Sequence, residues 1–173
     1  MIEFLKKILG CKEEELENKI KEQEQIILEK EKEITSLKAS QPKECQSKGK
    51  ISYVEAYNLL TSLGGAVFLS DEEFNLANKD DAKRFTEETK VAYVKWINED
   101  HDCDNFSFAS MGYWSEGLLS FAYGIAWSKA HAFNFLIDEN KEIWIVEPQT
   151  NEYMTIKEAK SKGIYFPIRI MMM

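Results

Sequence analysis

A seam of mostly apolar positions runs through residues 12–38, where the spacing alternates between four and three residues: Leu16, Ile20, Gln23, Ile27, Lys30, Ile34 and Leu37. The segment contains no Gly, Pro or aromatic residue, so it is predicted to form one long, coiled-coil-like helix. Ile at one seam position favours a parallel homodimer through residues 12–38, whereas Gln23 and Lys30 weaken the seam. A single, solvated helical stalk is an equally good interpretation.

The composition changes abruptly at residues 39–50, which read ASQPKECQSKGK and contain no large apolar side chain. Such Ser, Gln, Lys, Pro and Gly content is typical of an exposed linker. The predicted organisation is therefore an N-terminal helix over residues 1–39, a linker over 40–50 and a folded domain over 51–173. Cys45 is expected to be an exposed thiol without a role in the chemistry.

The apolar periodicity in the folded domain predicts helices first and an antiparallel sheet second. Helices are expected at 53–63 and 80–88, after Cys103, and at 155–162. Strands are expected at 66–69, 91–97, 120–127, 131–137, 142–147 and 165–171, with a tight hairpin at residues 138–141. This order predicts the α+β class.

Charge and length narrow the classes of function. The chain has 173 residues, 44% hydrophobic, with 30 acidic against 22 basic side chains, which argues against nucleic acid as a partner. No apolar stretch approaches the roughly 18 residues of a membrane span, and residues 1–10 lack the pattern of a secretion signal. We therefore expect a cytoplasmic protein without a membrane span. The three cysteines form no CxxC pair, so neither a disulfide framework nor a zinc site is indicated.

The strongest candidate for chemistry is Cys103, which follows a polar cluster and precedes an apolar helical stretch. With Asp102 as N-cap, Cys103 lies in the first helical turn, where unpaired amides and the helix dipole favour a thiolate. Asp104 opposes the thiolate by like-charge repulsion, so a helper cation is needed. His131, at the start of a predicted strand, is the candidate.

A carboxylate that orients the imidazole is expected from the next strand. In a hairpin about residues 139–140, Glu147 lies opposite His131 or Ala132 and within reach of the imidazole. Cys103, His131 and Glu147 then follow in the chain order of a nucleophile, a base and an orienting acid. This arrangement supports nucleophilic acyl transfer.

The strings Asp102-Cys103-Asp104-Asn105-Phe106, His131-Ala132-Phe133-Asn134 and Trp144 to Thr150 (WIVEPQT) carry a family resemblance. With the lead-in at residues 68–76, they resemble the papain-like cysteine peptidase domain at the C-terminus of the fungal agglutinin of Marasmius oreades, whose relatives occur in bacterial and phage proteins. The resemblance covers about residues 51–150. It implies catalytic roles for Cys103, His131 and Glu147, a Cys-bearing helix packed on an antiparallel sheet, dimerisation and activation by calcium.

Two departures from the family limit what the resemblance implies. Asn105 stands where the family commonly has another Asp. The lectin module of the agglutinin is absent, so sugar binding is not part of the expected function. An EF-hand is excluded because Asn105 and Met111 occupy the positions of its turn Gly and bidentate Glu. A looser metal site that includes His101, with calcium at Asp102 and Asp104, remains open beside the alternative of a plain solvated acidic loop. The chemistry itself requires no cofactor.

The predicted function is that of a cysteine hydrolase, a peptidase or amidase, which acts on a peptide or protein through a thioester acyl-enzyme. The amide of Cys103, with Gln149 or Asn98, would supply the oxyanion hole. Transfer of the acyl group to an amine, as in a transglutaminase, is one alternative. The other is a catalytically inactive binding or accessory protein of this fold, dimerised by its N-terminal helix.

Overall fold

The structure is a computed structural model that describes residue 16 and residues 18–34, 45–117 and 119–173. The chain divides into two compact units, Met1–Gln41 and Pro42–Met173. Cys11 and the seam position Leu37 lie outside the described residues.

In the N-terminal unit, residues 18–34 form a helix, here α1. Its seam side chains are largely exposed, with 53% of Ile20, 56% of Ile27 and 49% of Ile34 accessible. Within the described residues the predicted helix is therefore present. The coiled coil and the homodimer stay predictions.

The described residues of the C-terminal unit, 45–117 and 119–173, form eight strands, namely β1 (Ser47–Ser52), β2 (Ala66–Phe68), β3 (Glu73–Ala77), β4 (Tyr123–Trp127), β5 (Ala132–Ile137), β6 (Ile143–Glu147), β7 (Glu152–Thr155) and β8 (Ile170–Met172). Strands β1 and β3 pair as a two-stranded ribbon. The other six form one sheet in the order β2-β8-β4-β5-β6-β7. All its neighbours are antiparallel except β2 and β8.

The same described residues form four α-helices: α2 (Tyr53–Thr61), α3 (Lys79–Glu88), α4 (Cys103–Ser115) and α5 (Ile156–Lys162). Helices α2 and α5 begin with capping boxes, and α3 begins at Asn78, whose side chain accepts from two amides of the first turn. Helix α5 ends at Gly163, whose φ of 77° lies in the left-handed region. The predicted α+β class is thus confirmed.

The large sheet has a core on each face because side chains along β5 alternate between the two sides. Phe133, Phe135 and Ile137 pack with α2 and α5, whereas Leu136 packs with Trp114 of α4 and with α3. The Cys-bearing helix α4 contacts β4 and β5. Side chains of α4 and of the sheet can therefore approach each other at the end of β5.

Three expectations about local structure are wrong, and they concern residues 91–97, the exposure of Cys45 and the C-terminal strand. The alternating residues 91–97 form no strand; Val91–Tyr93 is a short 3-10 helix that follows Lys90 at a φ of 60°, and the side chains from Tyr93 onward are exposed. Cys45 is not exposed, since only 6% of it is accessible and its thiol contacts Asp81 at 3.3 Å. Strand β1 also begins within the predicted linker.

The C-terminal strand is shorter than expected, because β8 covers Ile170–Met172 and residues 165–169 are not a strand. Within the described residues, no helix is both long and apolar enough to cross a bilayer.

Candidate functional site

Cys103 is the first residue of α4, as the N-cap pattern predicts. Asp102 precedes it in an extended conformation, and the Asp102 amide donates to Asn105 Oδ1 at 3.2 Å. One turn later the Ser107 hydroxyl donates to the Cys103 carbonyl at 2.8 Å. The thiol is therefore held at the helix N-terminus, where free amides stabilise negative charge.

His131 and Glu147 meet across the β5–β6 hairpin. Asn134 pairs with Val146, and continuing this register places Glu147 opposite Phe133, beyond the predicted positions 131 and 132. The contact survives this offset because residues 131 and 133 share a face of the strand. His131 Nε2 lies 2.6 Å from Glu147 Oε2, and both side chains are mostly buried.

The Glu147 carboxylate accepts hydrogen bonds at both oxygens. Oε1 accepts from the Gln149 amide at 3.1 Å, and Oε2 accepts from the Tyr165 hydroxyl at 2.9 Å as well as from His131. An ionised carboxylate can only accept, so it selects the His131 tautomer with its proton on Nε2. The lone pair of the neutral imidazole is then on Nδ1, which has no hydrogen-bond partner among the described residues.

The thiol of Cys103 lies beside the start of the same strand. Its Sγ accepts from the backbone amide of Ala132, the residue after His131, at 3.4 Å. No hydrogen bond joins Cys103 to His131 in the part of the chain that the structure describes. The site thus combines a thiol at a helix N-terminus, an amide donor to sulfur and a histidine whose tautomer is fixed.

The two residues expected to hold calcium, Asp102 and Asp104, contact each other. A hydrogen bond between Asp102 and Asp104 raises the pKa of Asp104, so the two carboxyls pair with each other. Among the described residues, no three His, Cys, Asp or Glu side chains cluster as a metal site, whereas calcium takes six to eight oxygen ligands.

The two candidates for the oxyanion hole are not brought to the thiol by hydrogen bonds. Asn98 lies exposed in the turn that the Ile97–His101 bridge closes. Gln149 contributes its backbone amide to Glu147 and thereby supports the carboxylate.

Sequence reasoning missed two groups of this site, the Ala132 amide and Tyr165. An amide carries no side-chain signal, and Tyr165 follows Glu147 by 18 residues, after a strand and a helix. Its ring packs edge-on against His131 at 5.3 Å between centroids. Only the folded position of residues 163–169 reveals this contact.

Together, the fold and site define an α+β domain with a thiol, an imidazole and a carboxylate at the end of a central strand. No family model and no curated protein matches the chain. Ten chains of solved structures match, and two of them have TM-scores of 0.61 and 0.60. One is a PSL1a-E64 complex, and the other is Polyporus squamosus lectin bound to the human-type influenza-binding epitope Neu5Aca2-6Galb1-4GlcNAc.

These likenesses are distant, at 16% and 15% identity, and each covers 72% of this chain. The chain spans about half of the matched chains, 51% and 49%. They therefore show a shared fold alone.

The comparisons correct the family assignment. One of the two matched structures is named as a lectin, neither is named as a peptidase, and no peptidase family model matches. On these findings, the assignment to papain-like cysteine peptidases is wrong. The predicted hydrolase function and the thiol-protease class are wrong as well, because they depend on that assignment. The binding alternative is closer to what was found.

Proposed function

We propose that the C-terminal unit is a ligand-binding domain whose site contains a reactive thiol, Cys103, activated by His131 and Glu147. The observation that supports it best is the ordered contact between Glu147 Oε2 and His131 Nε2 at 2.6 Å, next to a thiol that accepts from the Ala132 amide. A fixed tautomer and an amide aimed at sulfur are both features of activated cysteines.

The proposed chemistry is a single covalent step. His131 Nδ1 takes the proton of the Cys103 thiol, and the resulting imidazolium is stabilised by the Glu147 carboxylate. The thiolate then attacks an electrophilic carbon of the bound ligand, and the Ala132 amide and the α4 N-terminus stabilise the charge on sulfur before attack. A carbon–sulfur bond forms while the bond from that carbon to its leaving group breaks. The leaving group departs with the electrons of that bond and can take the proton that His131 removed from the thiol.

The test is alkylation of each cysteine, quantified by peptide mass spectrometry from about pH 5 to pH 9. Iodoacetamide loses iodide to the thiolate, whereas E64, an epoxysuccinyl compound, opens its epoxide on the same sulfur. We expect Cys103 to react at mildly acidic pH and His131→Ala to lose this low-pH reaction. Calcium and a chelator form two further arms, because the expected calcium dependence stays a prediction.

Cys45 is the internal control, because it is buried and contacts Asp81, and burial followed by Asp81 raises the pKa of its thiol to about 12. Cys103→Ala should remove the labelled peptide while the circular dichroism spectrum stays unchanged. A folded wild type in which Cys103 reacts no faster than a free thiol, or equally fast without His131, would contradict the proposal.

Carbohydrate is a second candidate ligand class, favoured by the glycan bound in one of the matched structures. Calorimetric titration of the full chain with a sialylated N-acetyllactosamine tests it directly. Binding that survives Cys103→Ala would place the glycan away from the thiol, binding lost in that variant would place it at the thiol, and no heat of binding would remove this candidate.

We also propose self-association and a cytoplasmic location for the whole chain. Self-association through residues 12–38 is tested by analytical sedimentation of the full chain against Ile27→Glu, since Ile27 is 56% exposed on α1. The cytoplasmic location is tested by cell fractionation.

A further inference from the structure

Tyr165 occupies an unusual place in the candidate site. It is 2% exposed, its hydroxyl donates to Glu147 Oε2 at 2.9 Å, and the same oxygen accepts from His131 at 2.6 Å. Burial, and then the nearby Glu147 carboxylate, raise the pKa of Tyr165, so its hydroxyl keeps its proton and remains a donor.

The ring of Tyr165 supports the imidazole as well as the carboxylate. It stands edge-on to His131 at 5.3 Å and edge-on to Phe133 at 5.1 Å between centroids. Tyr165 therefore contacts the imidazole ring and also donates to the carboxylate oxygen that accepts from the imidazole. The Gln149 amide donates to the second carboxylate oxygen at 3.1 Å, so the two donors together limit rotation of the group.

We infer that Tyr165 is a positioning residue, which acts through Glu147 to keep the Nδ1 lone pair of His131 available to Cys103. The inference rests on the proposed reactive thiol. Without the hydroxyl, Oε2 keeps only the imidazole, and among the described residues the Gln149 amide is the one remaining backbone contact that opposes rotation of the carboxylate away from Nε2. The tautomer and the orientation of the ring are then less well defined.

The experiment compares the second-order rate of iodoacetamide labelling of Cys103 in the wild type and in Tyr165→Phe. This variant keeps the ring packing and removes only the hydroxyl. We expect the rate at mildly acidic pH to fall about 3- to 10-fold, and the midpoint of the pH profile to move toward that of His131→Ala. Labelling at low temperature keeps a destabilised variant folded, which circular dichroism verifies.

Tyr153→Phe is the matched control, because Tyr153 is also a mostly buried tyrosine whose hydroxyl has one side-chain partner, Thr86 at 2.7 Å. It loses a similar hydrogen bond away from the site, so its pH profile should match the wild type. An equal shift in both variants would indicate a general loss of rigidity and would overturn the inference.

A double-mutant cycle with Glu147→Gln tests whether Tyr165 acts through the carboxylate. In that background, Tyr165→Phe should change the rate less than about twofold. A full effect in both backgrounds would contradict action through Glu147. If His131→Ala labels as fast as the wild type, the proposed function fails; if His131→Ala is slow and Tyr165→Phe matches the wild type, only the role of Tyr165 fails.

Discussion

Asp138 offers the sharpest test of how the hairpin that carries His131 and Glu147 is held. Its side chain is almost fully buried, and Oδ1 accepts from the amides of Asn140 and Glu142, each at 2.9 Å. Oδ2 accepts from Trp144 Nε1 at 2.9 Å. One carboxylate thus closes the turn and anchors the first half of β6.

Two substitutions separate these contacts. Asp138→Ala removes both acceptor oxygens and their three hydrogen bonds. Because the two turn amides can then bond to water, we expect a loss of about 3 kcal/mol in the free energy of unfolding. Asp138→Asn keeps an oxygen for the turn but sets an amide N–H against the Trp144 N–H, which we expect to cost about 1.5 kcal/mol. For a domain of this size, these losses correspond to drops in Tm of about 10 °C and about 5 °C.

Thermal and urea unfolding of the full chain provide the assay, with the exposed Asp80→Ala as the control for loss of an aspartate. Trp144→Phe in the Asp138→Asn background should recover part of the loss, because the unpaired indole donor is gone. Equal losses for Asp138→Ala and Asp138→Asn, or a strictly additive double variant, would refute the division of roles between the two oxygens.

Three further outcomes are expected. Gly124→Ala should lower the free energy of unfolding by at least about 3 kcal/mol in urea unfolding. The added Cβ would clash with the Met172 carbonyl oxygen and would meet the Phe135 ring at 2.5 Å. A loss below about 1 kcal/mol would contradict this expectation. Asn134→Ala should lower the free energy of unfolding by about 2 to 3 kcal/mol in the same assay, because the buried Asn134 amide donates to carbonyls of α4 and β4 at 3.0 and 3.1 Å. An unchanged free energy would show that neither hydrogen bond contributes to stability. Burial, aided by Asp81, raises the pKa of Cys45 from 9.0 to about 12, so the folded state disfavours the thiolate. The free energy of unfolding should therefore fall as the pH rises from 9 toward 12. Cys45→Ala should weaken this pH dependence, and an unchanged dependence would refute the assignment to Cys45.

The sequence predicted those parts of the fold whose signals are local. Helix starts at Asp102 and Thr155 follow from capping residues, and the hairpin at 138–141 follows from its turn residues. The alternation in residues 91–97 misled because a period of two indicates a strand only if another strand pairs with it. Strand β1 was missed for the opposite reason, since Ser47–Ser52 is mostly polar and owes its conformation to pairing with β3.

The candidate site was predictable to a similar extent. The hairpin register brought Glu147 within reach of His131 even with an offset, because alternate residues share a face. The contact from Ala132 to the thiol depends on how α4 packs on β5, and the contact from Tyr165 depends on a distant segment. Such tertiary relations leave no periodic trace in the sequence.

The place of Tyr165 in the chain also has a consequence for the order of folding. The β5–β6 hairpin joins His131 and Glu147 across only 16 residues, so it can form early, whereas β2 and β8 pair residues at opposite ends of the domain. Tyr165 lies just before β8, in a segment that a ribosome delivers after every other part of the site. A nascent chain therefore carries its thiol, imidazole and carboxylate before the hydroxyl that steadies them, and the complete arrangement arises only when the last segment docks.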